Sequence, residues 1–451
     1  MSKNDLTTGS IPGNLIRLTL PMMLGIMSMV AFNLIDTYFV GKLGKTELAA
    51  LSFTFPIIMI VFSIVQGLGM GATALIAKSI GKGDQRKAAR ETTDSIALTL
   101  LLTGIFVIIG SLSIDSVLSL LGADGETAAL SKEYMQIWFF ALFFVSVPFV
   151  GNSAIRATGD AKTPTYIMLF AVCVNAILDP ILIFGYAGFP ALGLKGAAIA
   201  TAISRGLTMV LSLYILIRRD KLITFEIPSW KVLTGCWRSI LYIALPSGLG
   251  RLVVPISTGV ITALLAGYGE FAVAAYGVGS RIEFLANSLI FALAGSIGPF
   301  VGQNLGKGRI DRIQECLRIS SGFALVWGLI AWGLLALFSR PLALIFNSQA
   351  EVIDSVQLFL WIVPAGFGLQ GILSIINSNL NTINKPLQAS SVIIIQMLVL
   401  GLPAIFLGRE LGGVKGIFMG IAATYAIGGL LSLLVNRVVM NRFIKESAPA
   451  K

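Results

Sequence analysis

The sequence predicts an all-α polytopic membrane protein, with twelve transmembrane helices arranged as two pseudo-symmetric six-helix bundles. Of its 451 residues, 56% are hydrophobic and only 12% are charged, a composition far from that of soluble domains. Long apolar runs recur along the chain, and short motifs repeat between its two halves. The composition indicates the class, the runs indicate the number of spans, and the repeat indicates the two bundles.

Apolar runs of about 20 residues, the length that an α-helix needs to cross a bilayer, occur twelve times. They lack the alternation that is typical of transmembrane β-strands, so they predict helices. The predicted spans, in chain order, are 15–40, 48–76, 95–114, 134–155, 165–188, 192–217, 239–266, 271–300, 318–338, 353–377, 387–407 and 414–436.

The residues that usually build metal, redox or nucleotide sites are absent from the sequence or scattered along it. There is no histidine, and Cys173, Cys236 and Cys316 lie far apart, which predicts neither a disulfide framework nor a zinc site. No phosphate-binding loop of the Walker type occurs. We therefore predict a protein that is not an enzyme, binds no cofactor, and draws its energy from an ion gradient.

The basic residues indicate how the chain is oriented in the membrane. If both termini are cytoplasmic, the cytoplasmic segments contain 23 of the 33 Lys and Arg residues and the outer loops contain seven, as the positive-inside rule requires. This distribution in short loops also explains the net charge of +11 without a nucleic-acid partner. The first apolar run is long enough to span, which predicts a retained helix rather than a cleaved signal peptide.

The two halves of the chain share motifs at a shift of 225 residues. Leu20-Pro21 matches Leu245-Pro246, and Gly81-Lys82-Gly83 matches Gly306-Lys307-Gly308. Because six spans is an even number, both halves begin on the same side of the membrane, which predicts a parallel repeat about an axis along the membrane normal. The predicted domains are an N-terminal bundle, 1–217, a cytoplasmic linker, 218–238, and a C-terminal bundle, 239–451.

Two acidic residues, Asp36 and Asp179, lie inside apolar spans. An acid at such a position is costly and by default indicates function. Asn175 lies one helical turn before Asp179 and shares its face, and Thr201 lies about two turns into the sixth helix. Given the predicted directions of helices 1, 5 and 6, all four side chains reach a similar depth, which predicts one polar cluster in the N-terminal bundle.

This cluster, Asp36, Asn175, Asp179 and Thr201, is the predicted ion-coupling site. Two carboxylates in a poorly solvated place can share a proton, and the same oxygen ligands could hold a sodium ion. The alternative interpretations are that Asp36 extends to the outer interface and that Asp179 is a structural partner beside the helix disturbance at Pro180.

A second candidate charge site, Arg281 and Glu283, lies in the eighth span. The two residues are two positions apart on a helix and do not face each other, so a structural ion pair with another residue, such as Arg251, is the other interpretation. At the 225-residue shift Ile261 takes the place of Asp36. Ion coupling is therefore predicted to be a property of the N-terminal half.

These features together resemble the multidrug and toxic compound extrusion (MATE) transporters, over nearly the whole chain. The Asp on helix 1, combined with an Asn-x-x-x-Asp-Pro pattern on helix 5, is similar to the DNA-damage-inducible (DinF-type) branch. The motifs that carry the resemblance are Gly67-Leu-Gly-Met-Gly-Ala72, Ala77-Lys-Ser-Ile-Gly-Lys-Gly-Asp84, Arg156-Ala-Thr-Gly-Asp160, Asn175-Ala-Ile-Leu-Asp179-Pro180 and Gly196-Ala-Ala-Ile-Ala-Thr201.

The resemblance implies a multidrug efflux antiporter of the bacterial inner membrane. It would act as a monomer in the lipid bilayer, by alternating access, and export amphiphilic, often cationic, organic compounds in exchange for protons or sodium ions. Two alternatives remain open, a flippase for lipid-linked saccharides and an ion channel. The absence of a selectivity-filter repeat disfavours the channel.

Overall fold

Long α-helices make up the first half of the chain in the computed structural model, which describes residues 5–346 and 348–447. A π-helical turn, Ile215–Arg219, extends the sixth helix. The six helices are α1 (Ile11–Gly41), α2 (Lys45–Gly81), α3 (Gln85–Leu120), α4 (Gly125–Ala157), α5 (Lys162–Phe184) and α6 (Gly193–Tyr214).

The second half is also helical, but several of its spans are interrupted. A 3-10 turn, Val363–Gly366, joins α11 to α12, and a π-helical segment, Ile395–Gly401, joins α13 to α14. The helices are α7 (Trp230–Ala266), α8 (Glu270–Gly306), α9 (Ile310–Leu337), α10 (Ser339–Phe346), α11 (Ala350–Ile362), α12 (Phe367–Thr382), α13 (Pro386–Ile394) and α14 (Leu402–Ser447).

The predicted fold class is confirmed. Eleven helical stretches of the described chain are long and apolar enough to cross a membrane, and the last of them, Pro386–Glu446, holds two predicted spans. Gly412 and Gly413 depart from helical geometry within it, at the boundary between spans 387–407 and 414–436. The twelve predicted spans therefore all correspond to helices.

The helices are longer than the apolar runs that predict them. Helix α3 begins at Gln85, ten residues before the predicted span, because its first turns are polar but still helical. Asp84 caps this helix, since its Oδ1 accepts a hydrogen bond from the backbone N of Lys87 at 2.9 Å. Helix α7 begins at Trp230, inside the stretch assigned to the linker, and α10 is too short to span a membrane.

The repeat is visible in the turns. Gly83 follows α2 with a φ of 79°, and Gly308 follows α8 with a φ of 71°. This left-handed conformation favours glycine. The shared Gly-Lys-Gly motif therefore builds the same tight helix–helix turn in both halves of the chain.

Two compact units divide the chain. The N-terminal unit contains Pro21–Leu245, and the C-terminal unit contains Leu6–Leu20 and the chain from Pro246 onward. Both changes of unit fall directly before the prolines that the repeat aligns, Pro21 and Pro246. The beginning of α7 therefore belongs to the N-terminal unit, and the beginning of α1 belongs to the C-terminal unit.

Close helix packing holds the beginning of α7 within the N-terminal unit. A Cβ atom on Gly67 would lie 2.4 Å from the backbone oxygen of Ala244, and one on Gly71 would lie 2.9 Å from that of Ile240. The indole Nε1 of Trp237 donates to the backbone oxygen of Asp94 at 2.9 Å. The glycines of α2 thus allow a backbone approach that larger residues would prevent.

Each unit has its own apolar core. The core of the N-terminal unit includes Trp138, Phe139 and Leu142 of α4, and α4 is surrounded by α2, α3 and α6. The core of the C-terminal unit includes Phe359, Phe367 and Phe418. Ile261, the counterpart of Asp36, is 7% exposed and belongs to that second core.

Candidate ion-coupling site

The four predicted site residues all lie on helices of the N-terminal unit. Asp36 is on α1, Asn175 and Asp179 are on α5, and Thr201 is on α6. Asn175 and Asp179 are fully buried, Thr201 is 7% exposed, and Asp36 is half-buried. The sequence thus places two acidic and two neutral polar side chains at buried or half-buried positions of this unit.

A tight connection brings α5 and α6 together. Gly185 ends α5 with a φ of 78°, and the backbone N of Leu192 donates to the oxygen of Leu182 at 3.0 Å. A Cβ atom on Gly196 would lie only 2.4 Å from that same oxygen. The small residue therefore permits the close approach of α6, on which Thr201 lies, to the end of α5.

A hydrogen bond within α5 orients one carboxylate. The Nδ2 of Asn175 donates to the Oδ1 of Asp179 at 3.0 Å, which the spacing of four residues allows. This bond leaves the other carboxylate oxygen, Oδ2, without a hydrogen-bond partner. Asn175 thus acts as an orienting residue for Asp179.

The most informative feature of the site is its set of unsatisfied oxygens. Within the described residues, Asp36 Oδ1, Asn175 Oδ1, Asp179 Oδ2 and Thr201 Oγ1 are all buried and lack a hydrogen-bond partner. Buried polar atoms are almost always paired, and an unpaired one costs about 1–3 kcal/mol. A proton or a small cation bound to these oxygens would satisfy them; one further unsatisfied carboxylate oxygen of the same unit is Oδ2 of Asp94.

Electrostatic contacts link the two acids with each other and with a tyrosine. Asp36 and Asp179 lie close enough to repel each other, and the hydroxyl of Tyr134 on α4 interacts with both. Tyr134 is 4% exposed. The structure therefore brings Asp36, Asn175 and Asp179 together and adds Tyr134, while Thr201 is buried on the adjoining helix α6.

The donor set is one of hard oxygen ligands. Two carboxylates, an amide oxygen and a hydroxyl suit a proton or a cation such as sodium better than a soft metal. No group of three or more His, Cys, Asp or Glu side chains that could hold a metal occurs in residues 5–346 and 348–447. The chemistry of these donors does not distinguish between the two ions that the sequence suggests.

Sequence reasoning missed Arg205 as a neighbour of this site. Its guanidinium carbon lies 4.2 Å from the centroid of the Phe32 ring, a cation–π contact, and it attracts Asp36 electrostatically. Helical spacing carries the signal that could have found it, because Arg205 follows Thr201 by four residues and Phe32 precedes Asp36 by four.

The second predicted charge site lies in the C-terminal unit and is not a single pair. The Oε1 of Glu283 accepts a hydrogen bond from the hydroxyl of Tyr425 at 2.7 Å, and Tyr276 also lies within electrostatic reach of Glu283. Arg281 is exposed, and no hydrogen bond or ion pair joins it to Glu283 among the described residues, as the spacing of two residues predicts. The hydrogen-bond partner of Glu283 is therefore a tyrosine of α14.

Nearly the whole chain matches known transporters. The sequence model of the MatE family matches residues 21–181 and 246–407, so both matches begin at the aligned prolines. The FAD transporter of Shewanella oneidensis is 35% identical over 431 residues, with 95% of each chain covered. The multidrug export protein MepA of Staphylococcus aureus strain MRSA252 is 26% identical, with 95% of this chain and 94% of MepA covered.

A solved structure agrees with these relatives. The Vibrio cholerae MATE transporter VcmN in its bent form superimposes with a TM-score of 0.90 at 31% identity, covering 96% of this chain and 97% of VcmN. The resemblance that the motifs indicate is thus confirmed by the family match, by relatives over nearly the full length and by a shared two-bundle fold. The chain belongs to the MATE family of membrane transporters.

Proposed function

We propose that the protein is a secondary antiporter that exports amphiphilic organic compounds across the bacterial inner membrane in exchange for protons or sodium ions. The observation that carries the proposal is the group of four unsatisfied oxygens in the N-terminal unit. An ion on these oxygens would remove the cost of leaving them unpaired. Release of the ion would restore that cost unless a substrate satisfies the same oxygens. The ion and the substrate can therefore replace each other at this site.

The substrate class has two candidates. Drug-like amphiphiles, often cationic, are favoured by the relative named multidrug export protein. Flavin adenine dinucleotide (FAD) is favoured by the relative named FAD transporter, which is 35% identical over 95% of the chain. The presence of Arg205 beside Asp36 supports a substrate that is not purely cationic, because a guanidinium repels cations.

The remaining features of the proposal concern location and cycle. The excess of Lys and Arg in the predicted cytoplasmic loops supports cytoplasmic termini. The first four and the last four residues of the chain lie outside the described residues. We further propose a monomer that works by alternating access. The flippase and the channel are the competing functions, and neither requires ion exchange at Asp36.

Transport by purified protein in liposomes tests the proposal. Efflux of a fluorescent organic cation is measured under a proton gradient alone and under a sodium gradient alone, for the parent and for Asp36→Asn. Antiport predicts that one gradient drives efflux and that the substitution abolishes this drive. Efflux that ignores both gradients, or full gradient-driven activity in Asp36→Asn, would reject coupling at this site and favour a flippase or a channel.

A further inference from the structure

Arg205 occupies an unusual position for a charged residue. It lies near the middle of the helical stretch Gly193–Arg219, one turn beyond Thr201 on the same face of α6. A guanidinium at such a depth is expensive and is kept where it faces a protein interior or a polar path. Its side chain is half-buried, so it is neither sealed in the core nor open to the surroundings on all sides.

The guanidinium donors of Arg205 are not used within the described chain. No hydrogen bond or ion pair to its side chain occurs among residues 5–346 and 348–447; the ring of Phe32 supports it from one face. Two other arginines on helical segments differ. Arg219 is paired with Asp160 and Asp220, and Arg90 is paired with Asp94. Five N–H donors of Arg205 therefore remain available to a ligand.

Asp36 does not take these donors. It attracts Arg205 electrostatically, yet no nitrogen of Arg205 comes within the 4.0 Å that defines an ion pair. The Oδ1 of Asp36 also stays without a hydrogen-bond partner in the described residues. The Arg205 guanidinium and the Asp36 carboxylate thus lie near each other without forming an ion pair. Each can therefore bind a group of opposite charge on a bound molecule.

We infer that Arg205 binds an anionic oxygen group of the exported substrate, a carboxylate or a phosphate, and so determines which amphiphiles the N-terminal unit accepts. A planar guanidinium matches both groups because it donates two parallel hydrogen bonds. A cationic group on the same molecule would lie towards Asp36 and compete there with the coupling ion, as exchange requires. This inference rests on the proposed export function and specifies its substrate class.

Matched pairs of ligands test the inference with purified full-length protein. The first pair is a zwitterionic rhodamine with a free carboxylate and the methyl ester of the same dye. The second pair is FAD and riboflavin, which share a ring system but differ in the pyrophosphate and adenosine. Binding to the parent, Arg205→Lys, Arg205→Gln and Arg340→Gln is followed by fluorescence. Arg340 is an exposed arginine of α10 and serves as the matched control.

We expect the parent and Arg340→Gln to bind the anionic member at least about tenfold more tightly than its partner in one or both pairs, because hydrogen bonds to charged groups are the stronger ones. Arg205→Gln should reduce this ratio to about one, and Arg205→Lys should give an intermediate ratio, since lysine lacks the fork. Discrimination in only one pair supports the inference and identifies the group as carboxylate or phosphate.

Two results would overturn it. A ratio near one in the parent for both pairs shows that no anionic group is recognised, whatever the variants do. A ratio that survives in Arg205→Gln assigns recognition to another residue. Efflux of the methyl ester under imposed ion gradients distinguishes failure of this inference from failure of the proposed antiport function. If the binding ratios hold while efflux ignores both gradients, the antiporter fails and the anion site stands.

Discussion

At the scale of single residues, the proposed coupling site assigns the orientation of a carboxylate and its charge to different side chains. Asn175 holds one oxygen of Asp179 and leaves the other free. An asparagine in place of Asp179 keeps an acceptor for that hydrogen bond but removes the charge. The two roles can therefore be tested apart, without emptying the site of its side chain.

Asp179→Asn should slow gradient-driven efflux at least about tenfold, because it removes a charge from the proposed ion site, while thermal unfolding of the purified protein changes little. The control is Asp115→Asn. Asp115 is exposed and pairs with Lys132 at 2.8 Å, and such surface pairs contribute only about 0–1 kcal/mol. Gradient-driven efflux retained by Asp179→Asn at the parent rate would remove this residue from the coupling mechanism.

Tyr425→Phe should destabilise the C-terminal unit. The change removes the hydroxyl that donates to Glu283 and leaves a carboxyl group without its donor, at a cost of about 1–3 kcal/mol. Tyr214→Phe is the matched control, because Tyr214 is 63% exposed. Thermal unfolding in detergent measures both variants, and equal midpoints would contradict the role assigned to this hydrogen bond.

At the scale of helices, much of the fold is predictable from the sequence, because length and apolar composition suffice to recognise a span. The start of α3 was not predictable in this way, since eight of its first ten residues are polar. The short helix α10 and the interruptions around 363–366 and 395–401 also carry no hydrophobic signal. They depend on how neighbouring helices pack.

The candidate site was predictable to a similar degree. The spacing of Asn175 and Asp179 and the directions of the helices suffice to predict that Asp36, Asn175 and Asp179 come together; the place of Thr201 in the cluster stays a prediction. Tyr134 and Arg205 could not be added, because their role depends on the rotation of α4 and α6 against the acids. Hydrophobic periodicity is weak in helices that are apolar on every side, so it does not report that rotation.

Gly196→Ala should impair transport by displacing α6. The added Cβ would meet the backbone oxygen of Leu182 at 2.4 Å, so α6 must move away from α5 and take Thr201 with it; overpacking of this kind costs about 1–3 kcal/mol. Gly104→Ala on α3 is the control, because a Cβ there meets nothing within 4 Å. Transport and unfolding are compared for both variants, and identical behaviour would mean that the close contact is dispensable.

At the scale of the whole molecule, the two units share a repeat but not a chemistry. Asp36 of the N-terminal unit corresponds to Ile261, which lies in the apolar core of the C-terminal unit. Glu283, an acid on α8 of the C-terminal unit, is hydrogen-bonded to Tyr425. Ion coupling is thus expected from one unit only.

Glu283→Gln should therefore retain ion-driven efflux, at a rate within about threefold of the parent. The amide keeps an acceptor for the Tyr425 hydroxyl, so the unit should also stay folded, since a satisfied buried polar group is not costly. Asp36→Asn is measured alongside it. Loss of gradient dependence in both variants would show that the C-terminal unit shares in coupling.

The central claim is that substrate and ion are exchanged at the site in the N-terminal unit. The most direct measurement is ion movement driven by substrate alone, in liposomes with equal pH and sodium on both sides and a pH- or sodium-sensitive dye inside. Outward flow of substrate should draw protons or sodium ions inward, and this should not occur in Asp179→Asn. Substrate outflow from parent liposomes without movement of either ion would contradict the claim.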